Sequence, residues 1–256
     1  LNYDNEMISL SNYIKKSSYP IDVYDKVKSR YKLKEISYVS KLNLISSSVG
    51  TITGPTFMPD KENFVPHFSP IWTNIIEQKE FEAYVNPYET EGILFEFDPE
   101  EIKKWYELET NTRINSDGRD FLLTLIKNSS EYEKIYTLLH TISHLLIKKT
   151  SLYTGIDTDS CSEMIFTTTG SILIYSTSTI NIGGFGSLFE NNILKLFIET
   201  NNTINKCIYD PICMSKSGAC FSCIHLPEFV CSNFNQDLDR ECLVAKNNRF
   251  KNSFWK

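Results

Sequence analysis

Six of the seven cysteines fall within 36 residues, from Cys207 to Cys242. The centre of that stretch is Cys220-Phe-Ser-Cys223, a C-x2-C pair preceded by Gly218. A tight turn puts the two sulfurs of such a pair on one side, where they can share a metal ion. Zinc takes four soft ligands in a tetrahedron. Cys213 upstream and Cys231 downstream each lie one loop-length away, which gives C-x6-C-x2-C-x7-C. The expected zinc ligands are therefore Cys213, Cys220, Cys223 and Cys231. Cys207 and Cys242 are further sulfurs, His225 lies two residues after Cys223, and Cys207 can replace Cys213 if its loop folds back. A redox pair is disfavoured because such motifs follow a strand and open a helix, an order absent here. A disulfide framework belongs to small secreted domains.

A second constellation is His140 and His144, four residues apart and so on one face of a helix. Such a pair can share a metal or supply a general base. The glutamate of a zinc-protease HExxH motif is missing, since residue 141 is Thr. We read the two rings as hydrogen-bonding members of a buried layer, or as facing a partner, in preference to a metal or catalytic pair. Asn181 to Gly186 forms a glycine loop ahead of an expected helix from Ser187 to about Ile198. Helix N-termini of this kind can hold phosphate. With no Gly-Lys-Ser/Thr it is not a nucleoside-triphosphate loop, and a tight turn is the preferred reading. No G-x-S-x-G elbow, Walker pair or paired HxK motif is present, so the chain reads as non-catalytic. A cryptic nuclease built on His140, His144 and nearby acids is the alternative.

The cysteine stretch also carries a resemblance. "DPIC" (210–213), "GACFSC" (218–223), "LPEFVC" (226–231) and "FNQDLDR" (234–240) occur in the order found in the MrfA-like zinc-binding domain. The version with these motifs is similar to the C-terminal half of the DrmB family of the DISARM anti-phage system. "LLHTISHLLI" (138–147), "LIYSTS" (173–178) and "GGFGSL" (183–188) extend it upstream; "YKLKEISYVS" (31–40) and "GILFEF" (92–97) match more weakly. The family often has an acid before the glycine loop, where this chain reads Thr179-Ile-Asn181-Ile-Gly183. The resemblance implies a zinc-binding subunit that associates with a superfamily-2 helicase, which supplies ATP hydrolysis, and that engages DNA through the complex.

A chain of 256 residues, 41% hydrophobic and 13% aromatic, can bury one large core or two modest ones. It begins with Leu, which points to a fragment of a longer chain. No apolar run approaches the ~20 residues that span a bilayer. Clustered free thiols fit a reducing, cytoplasmic setting. The net charge of −6 disfavours tight nonspecific DNA binding by this chain alone. Arg240, Lys246, Arg249, Lys251 and Lys256 form a basic tail, read as a solvated end in preference to a phosphate-contacting edge.

Residues 1–35 read as short helical pieces or a connector, 36–54 as strands, and the proline-rich 55–70 as irregular. Gly92 to Phe97 reads as a strand. Asp98 caps the helix that follows, with Pro99 in its first turn. A polar break from Asn111 to Gly118 precedes a long helical region. There Ile135, Leu138, Leu139, Ile142, Leu145 and Leu146 make a buried stripe. The histidines lie nearly opposite that stripe, as on a central helix covered on both sides. Met164–Thr169 and Ile172–Thr177 form a hairpin about a two-residue Gly170-Ser171 turn. The expected architecture is mixed α+β: a central helix and a short-stranded sheet, with a C-terminal four-cysteine zinc knob. Its expected division is an N-terminal part, 1–110, and a zinc-binding domain, 111–256.

Overall fold

A computed structural model describes residues 14–15, 21–48, 50–53, 67–70, 84–125, 129–178, 182–228, 230–245 and 249–255. In chain order the elements are β1 (Ile14–Lys15), α1 (Ile21–Tyr31), β2 (Leu33–Ser48), β3 (Gly50–Thr53), β4 (His67–Pro70) and β5 (Tyr84–Phe97). Then come α2 (Pro99–Thr110), α3 (Gly118–Thr124), α4 (Ser129–Thr154), β6 (Cys161–Phe166) and β7 (Ser171–Ser176). The C-terminal part holds α5 (Gly184–Ser187), a π-helical turn (Leu188–Asn192), α6 (Ile193–Asn205), α7 (Ile212–Ser215) and α8 (Glu241–Val244). The fold is mixed α+β, as expected. No described helix is long and apolar enough to cross a membrane.

The chain packs as two units. One comprises residues 1–42 and 90–256, the other residues 43–89. The smaller holds an antiparallel β3–β4 pair, with Gly50 opposite Pro70 and Thr53 opposite His67. The 55–70 stretch, expected to be irregular, thus ends in a strand; residues 55–66 lie outside the described residues. The larger unit is built on a sheet of order β1-β2-β5-β7-β6. The expected 110/111 division falls inside this unit, where α2 and α3 are locked together. The Gly118 N–H donates to Glu100 Oε1 at 2.5 Å, and Lys103 Nζ to the Ser116 carbonyl at 3.0 Å.

Local chemistry explains the elements around the site. Asp98 is extended and its carboxylate accepts the Glu100 N–H at 2.9 Å, with Pro99 filling the first helical position of α2. An amide that the helix cannot satisfy internally is thereby paired. Asn111 closes α2 in the left-handed region at φ 55, and Asp117 caps α3 by accepting the Asp120 N–H at 2.8 Å. The β6–β7 hairpin pairs Phe166 with Ser171 and Ile165 with Ile172. Its loop is therefore Thr167 to Gly170 and not a two-residue Gly170-Ser171 turn. The reason is that Gly170 alone takes positive φ, 65, at the end of the loop, and Ser171 is already paired.

Helix α4 is the centre of the larger unit. All six residues of the Ile135–Leu146 stripe are fully buried, and so are His140 and His144 on the other side. It packs against β6, β7, α5, α6 and α8. Each large apolar side chain removed from water contributes about 2 kcal/mol, which is enough to hold a helix of modest intrinsic propensity in place. A cluster of Tyr31 on Phe197 (4.7 Å between ring centroids), Phe95 and Trp255 seals the neighbouring region.

Candidate metal centres

The first centre brings together Cys207, Cys213, Cys220 and Cys223. The Sγ atoms of Cys207 and Cys220 are 3.6 Å apart, Cys213 and Cys223 3.7 Å, and Cys220 and Cys223 3.6 Å. A tetrahedron with zinc–sulfur bonds of the usual length has sulfur–sulfur edges of about 3.8 Å, so the spacing fits that ion. A tight turn builds one half. The Cys220 carbonyl accepts the N–H groups of Cys223, Ile224 and His225 at 2.9 to 3.1 Å. Cys223 Sγ in return accepts the Cys220 N–H at 3.3 Å. The other half folds back on itself: Asp210 N–H bonds the Cys207 carbonyl, Cys213 N–H bonds the Tyr209 carbonyl, and Asp210 Oδ2 accepts the Cys207 N–H.

Behind the thiols lies Arg240, fully buried. It donates to Gly218 O at 2.7 Å, Ile204 O at 3.1 Å and Asp210 Oδ1 at 2.8 Å, and its Nη2 is 3.6 Å from Cys213 Sγ. This corrects the reading of a solvated basic tail beginning at Arg240. The guanidinium is a fixed positive charge beside the sulfurs, and Asp210 joins it to the Cys207 loop. Arg249 is likewise engaged, bidentate on Asp239 at 2.7 and 2.9 Å. The following amides of Lys251 and Asn252 donate to Glu109 of α2. Lys246 and Lys256 lie outside the described residues. Burial pushes the Cys213 thiol up to about 11 and the Cys223 thiol higher still. Burial opposes ionisation of Cys220 too, but the Cys223 amide and the adjoining thiols draw it down to about 7.

Of the four residues expected as ligands, three meet here and the fourth does not. Cys231 stands apart, and Cys207 occupies its place. The cause lies after Cys223. Asn235 grips Leu226 through both main-chain groups, at 2.8 Å each, which turns the chain away from the thiols and towards α4. Cys242 is buried, with its thiol donating to the Asp239 carbonyl at 2.9 Å.

Cys231 instead joins His140, His144 and Glu163. Its Sγ is 3.2 Å from His140 Nε2 and accepts the Asn235 N–H at 3.4 Å. Glu163 Oε1 is 3.2 Å from Nε2 of each histidine, while Ser143 Oγ donates to Oε2. His144 Nδ1 is 3.1 Å from the Ile224 carbonyl. Burial disfavours charge on all four groups, but the contacts overcome it. The Cys231 thiol and the Glu163 carboxylate hold the His140 ring up, to about 9, and the two rings hold Cys231 down to about 6. Both rings are buried and each makes one hydrogen-bond contact, His140 to Cys231 and His144 to Ile224. Glu163 was missed in the sequence; the only trace is an acid among the apolar residues of a hairpin strand.

The glycine loop does not present a free anion site. Its Phe185 and Gly186 amides both donate to the buried Glu91 carboxylate at 3.3 Å, and Tyr38 donates to Glu91 at 2.7 Å. Burial and that carboxylate hold the Tyr38 phenol well above its usual range. An internal acid from β5 therefore fills the place a phosphate would take.

Comparison with known proteins points the same way as the motifs. The chain is similar to the DISARM protein DrmB of Bacillus paralicheniformis. The two are 30% identical over 175 residues. That stretch is 60% of this chain and 31% of the Bacillus protein, so the chain spans about a third of that relative's length. No protein-family model matches the chain. Within this chain, four cysteines lie close enough together to hold a metal ion.

Proposed function

We propose that this chain is a non-catalytic, zinc-binding part of a DISARM-type anti-phage machine, which associates with a superfamily-2 helicase and assists its engagement of DNA. The observation that carries the reading is the closed cluster of Cys207, Cys213, Cys220 and Cys223 in a chain similar to DrmB. Four thiolates leave no open position on zinc, which makes the site structural. Its work is to hold loops that have little core of their own. In this reading the 111–256 segment is the zinc-binding module. Ile208, Tyr209, Ile212 and Phe221 expose apolar surface on these loops, at 60 to 81% of their full accessibility. Clustered exposed apolar groups are what a protein partner covers.

The test is co-expression with a superfamily-2 helicase from a DISARM system. The two proteins are expected to co-purify, and the pair to bind DNA more tightly, or to hydrolyse ATP faster on DNA, than the helicase alone. This chain alone is expected to hydrolyse no ATP. Tight, salt-resistant binding of duplex DNA by the isolated chain, with no helicase association, would replace this reading with an autonomous nucleic-acid-binding protein. Metal-dependent nicking of plasmid, lost in a soundly folded His140→Ala protein, would replace it with a nuclease.

A further inference from the structure

We propose that His140, His144, Glu163 and Cys231 form a second metal centre, a closed structural site for a divalent transition ion of the zinc class. It is separate from the four-cysteine knob and shares no ligand with it. Nε2 of both histidines and Oε1 of Glu163 point to one spot, at 3.2 Å from each ring to the carboxylate, and Cys231 Sγ is 3.2 Å from His140 Nε2. All four donor atoms lie within 4.8 Å of one another. Tetrahedral zinc with nitrogen, oxygen and sulfur ligands has donor–donor edges of about 3.3 to 3.8 Å. The three 3.2 Å contacts lie just below that range.

The tautomer supports the same reading. The Ile224 carbonyl can only accept, so His144 Nδ1 carries a proton there. That leaves Nε2 as the ring nitrogen turned to the centre. It is fully buried, and although 3.2 Å from Glu163 Oε1 it lacks the alignment of a hydrogen bond. A ring fixed through Nδ1 by a carbonyl, with Nε2 aimed at a carboxylate and a thiol, is the usual setting of a ligating histidine. Ser143 similarly fixes Glu163 through Oε2, leaving Oε1 for the centre.

The two rings pack edge to face with centroids 4.4 Å apart, in a fully buried place. The ligand mixture of two imidazoles, one thiolate and one carboxylate is within zinc's range. With four protein ligands, three of them buried residues and the Glu163 side chain only 4% exposed, the site would have no open position for water or phosphate. Its effect is mechanical: it ties α4, β6 and the 230–235 segment together. Ile224, next to the knob ligand Cys223, holds His144 and so couples the two centres.

The experiment is elemental analysis and cobalt substitution of the full chain, prepared without chelator. Wild-type protein is expected to hold about two metal equivalents per chain, and Cys231→Ser and Glu163→Gln proteins about one. The cobalt protein is expected to show two superposed tetrahedral spectra. One, with weaker sulfur-to-cobalt charge transfer, disappears in Cys231→Ser; the other disappears in Cys207→Ser. About one equivalent in wild type, lost only in Cys207→Ser, overturns the second centre and leaves the helicase-associated knob intact. If the variants fail to fold, the wild-type protein decides: a cobalt spectrum of four-thiolate type alone overturns the proposal.

Discussion

Cys207 and Arg240 carry the most specific consequences at the scale of single residues. The knob reading assigns Cys207 a ligand's place, although it lies outside the C-x6-C-x2-C-x7-C pattern. Cys207→Ser is therefore expected to lower bound zinc by about one equivalent and to loosen the Cys207–Cys223 loops, because metal binding and local folding are coupled. Limited proteolysis and elemental analysis together check it; unchanged zinc would sink the assignment of Cys207. Arg240 joins Ile204, Asp210, Cys213 and Gly218 through one guanidinium. Arg240→Met keeps the bulk and removes the charge, leaving Asp210 and two carbonyls without their donor. Removal of one partner of a buried pair costs about 3 to 5 kcal/mol. Asp210 retains some access to water, with 27% of its side chain exposed, so the lower end, about 3 kcal/mol, is expected from urea unfolding.

At the scale of elements, α4 is held by close approach as well as by apolar burial. A Cβ on Gly184 would sit 2.4 Å from the Thr154 carbonyl oxygen at the end of α4, a backbone atom with little room to yield. Gly184→Ala is expected to destabilise the protein by about 1 to 3 kcal/mol, the range for overpacking, even though alanine favours helix. A thermal midpoint equal to wild type would show that α5 does not sit against α4 as described. The start of α2 is a milder case. Asp98→Ala removes the cap on the Glu100 amide and is expected to cost about 1 kcal/mol in urea unfolding. Glu91 shows how an element can satisfy a loop from elsewhere in the chain. The expected acid is absent before the glycine loop, and β5 delivers a carboxylate to the loop amides instead.

For the whole molecule, charge and exposed apolar surface set the expected partners. A net charge of −6 repels the phosphate backbone at long range. Two of the arginines counted in the basic tail are held by carboxylates, Arg240 by Asp210 and Arg249 by Asp239. The isolated chain is expected to bind duplex DNA no more tightly than a dissociation constant of about 10 μM at physiological salt. Fluorescence anisotropy with a labelled duplex measures it. The apolar surface of the knob gives a complementary test. A double substitution, Ile208→Asp with Ile212→Asp, is expected to keep bound zinc and the unfolding midpoint but to abolish co-purification with the helicase. Retained co-purification would place the contact elsewhere.

Much of the fold was legible in the sequence because it depends on short-range chemistry. The Asp98-Pro99 cap, the buried Ile135–Leu146 stripe and the β6–β7 hairpin follow from propensity and periodicity over a few residues. The cysteine cluster and the C-x2-C turn were legible for the same reason. What only the tertiary structure decided is which distant groups meet. Spacing alone places Cys231 beside Cys223, and the Asn235 clamp on Leu226 sends it to α4 instead. Nothing local links Glu163 to the two histidines; strand β6 carries it to them. Charge counting reads Arg240 as solvated, while its four acceptors, 22 to 36 residues away along the chain, bury it. Ligand sets and buried charges are settled by groups far apart in sequence. Local pattern names the residue types able to do the chemistry, and the packing of the chain selects the partners.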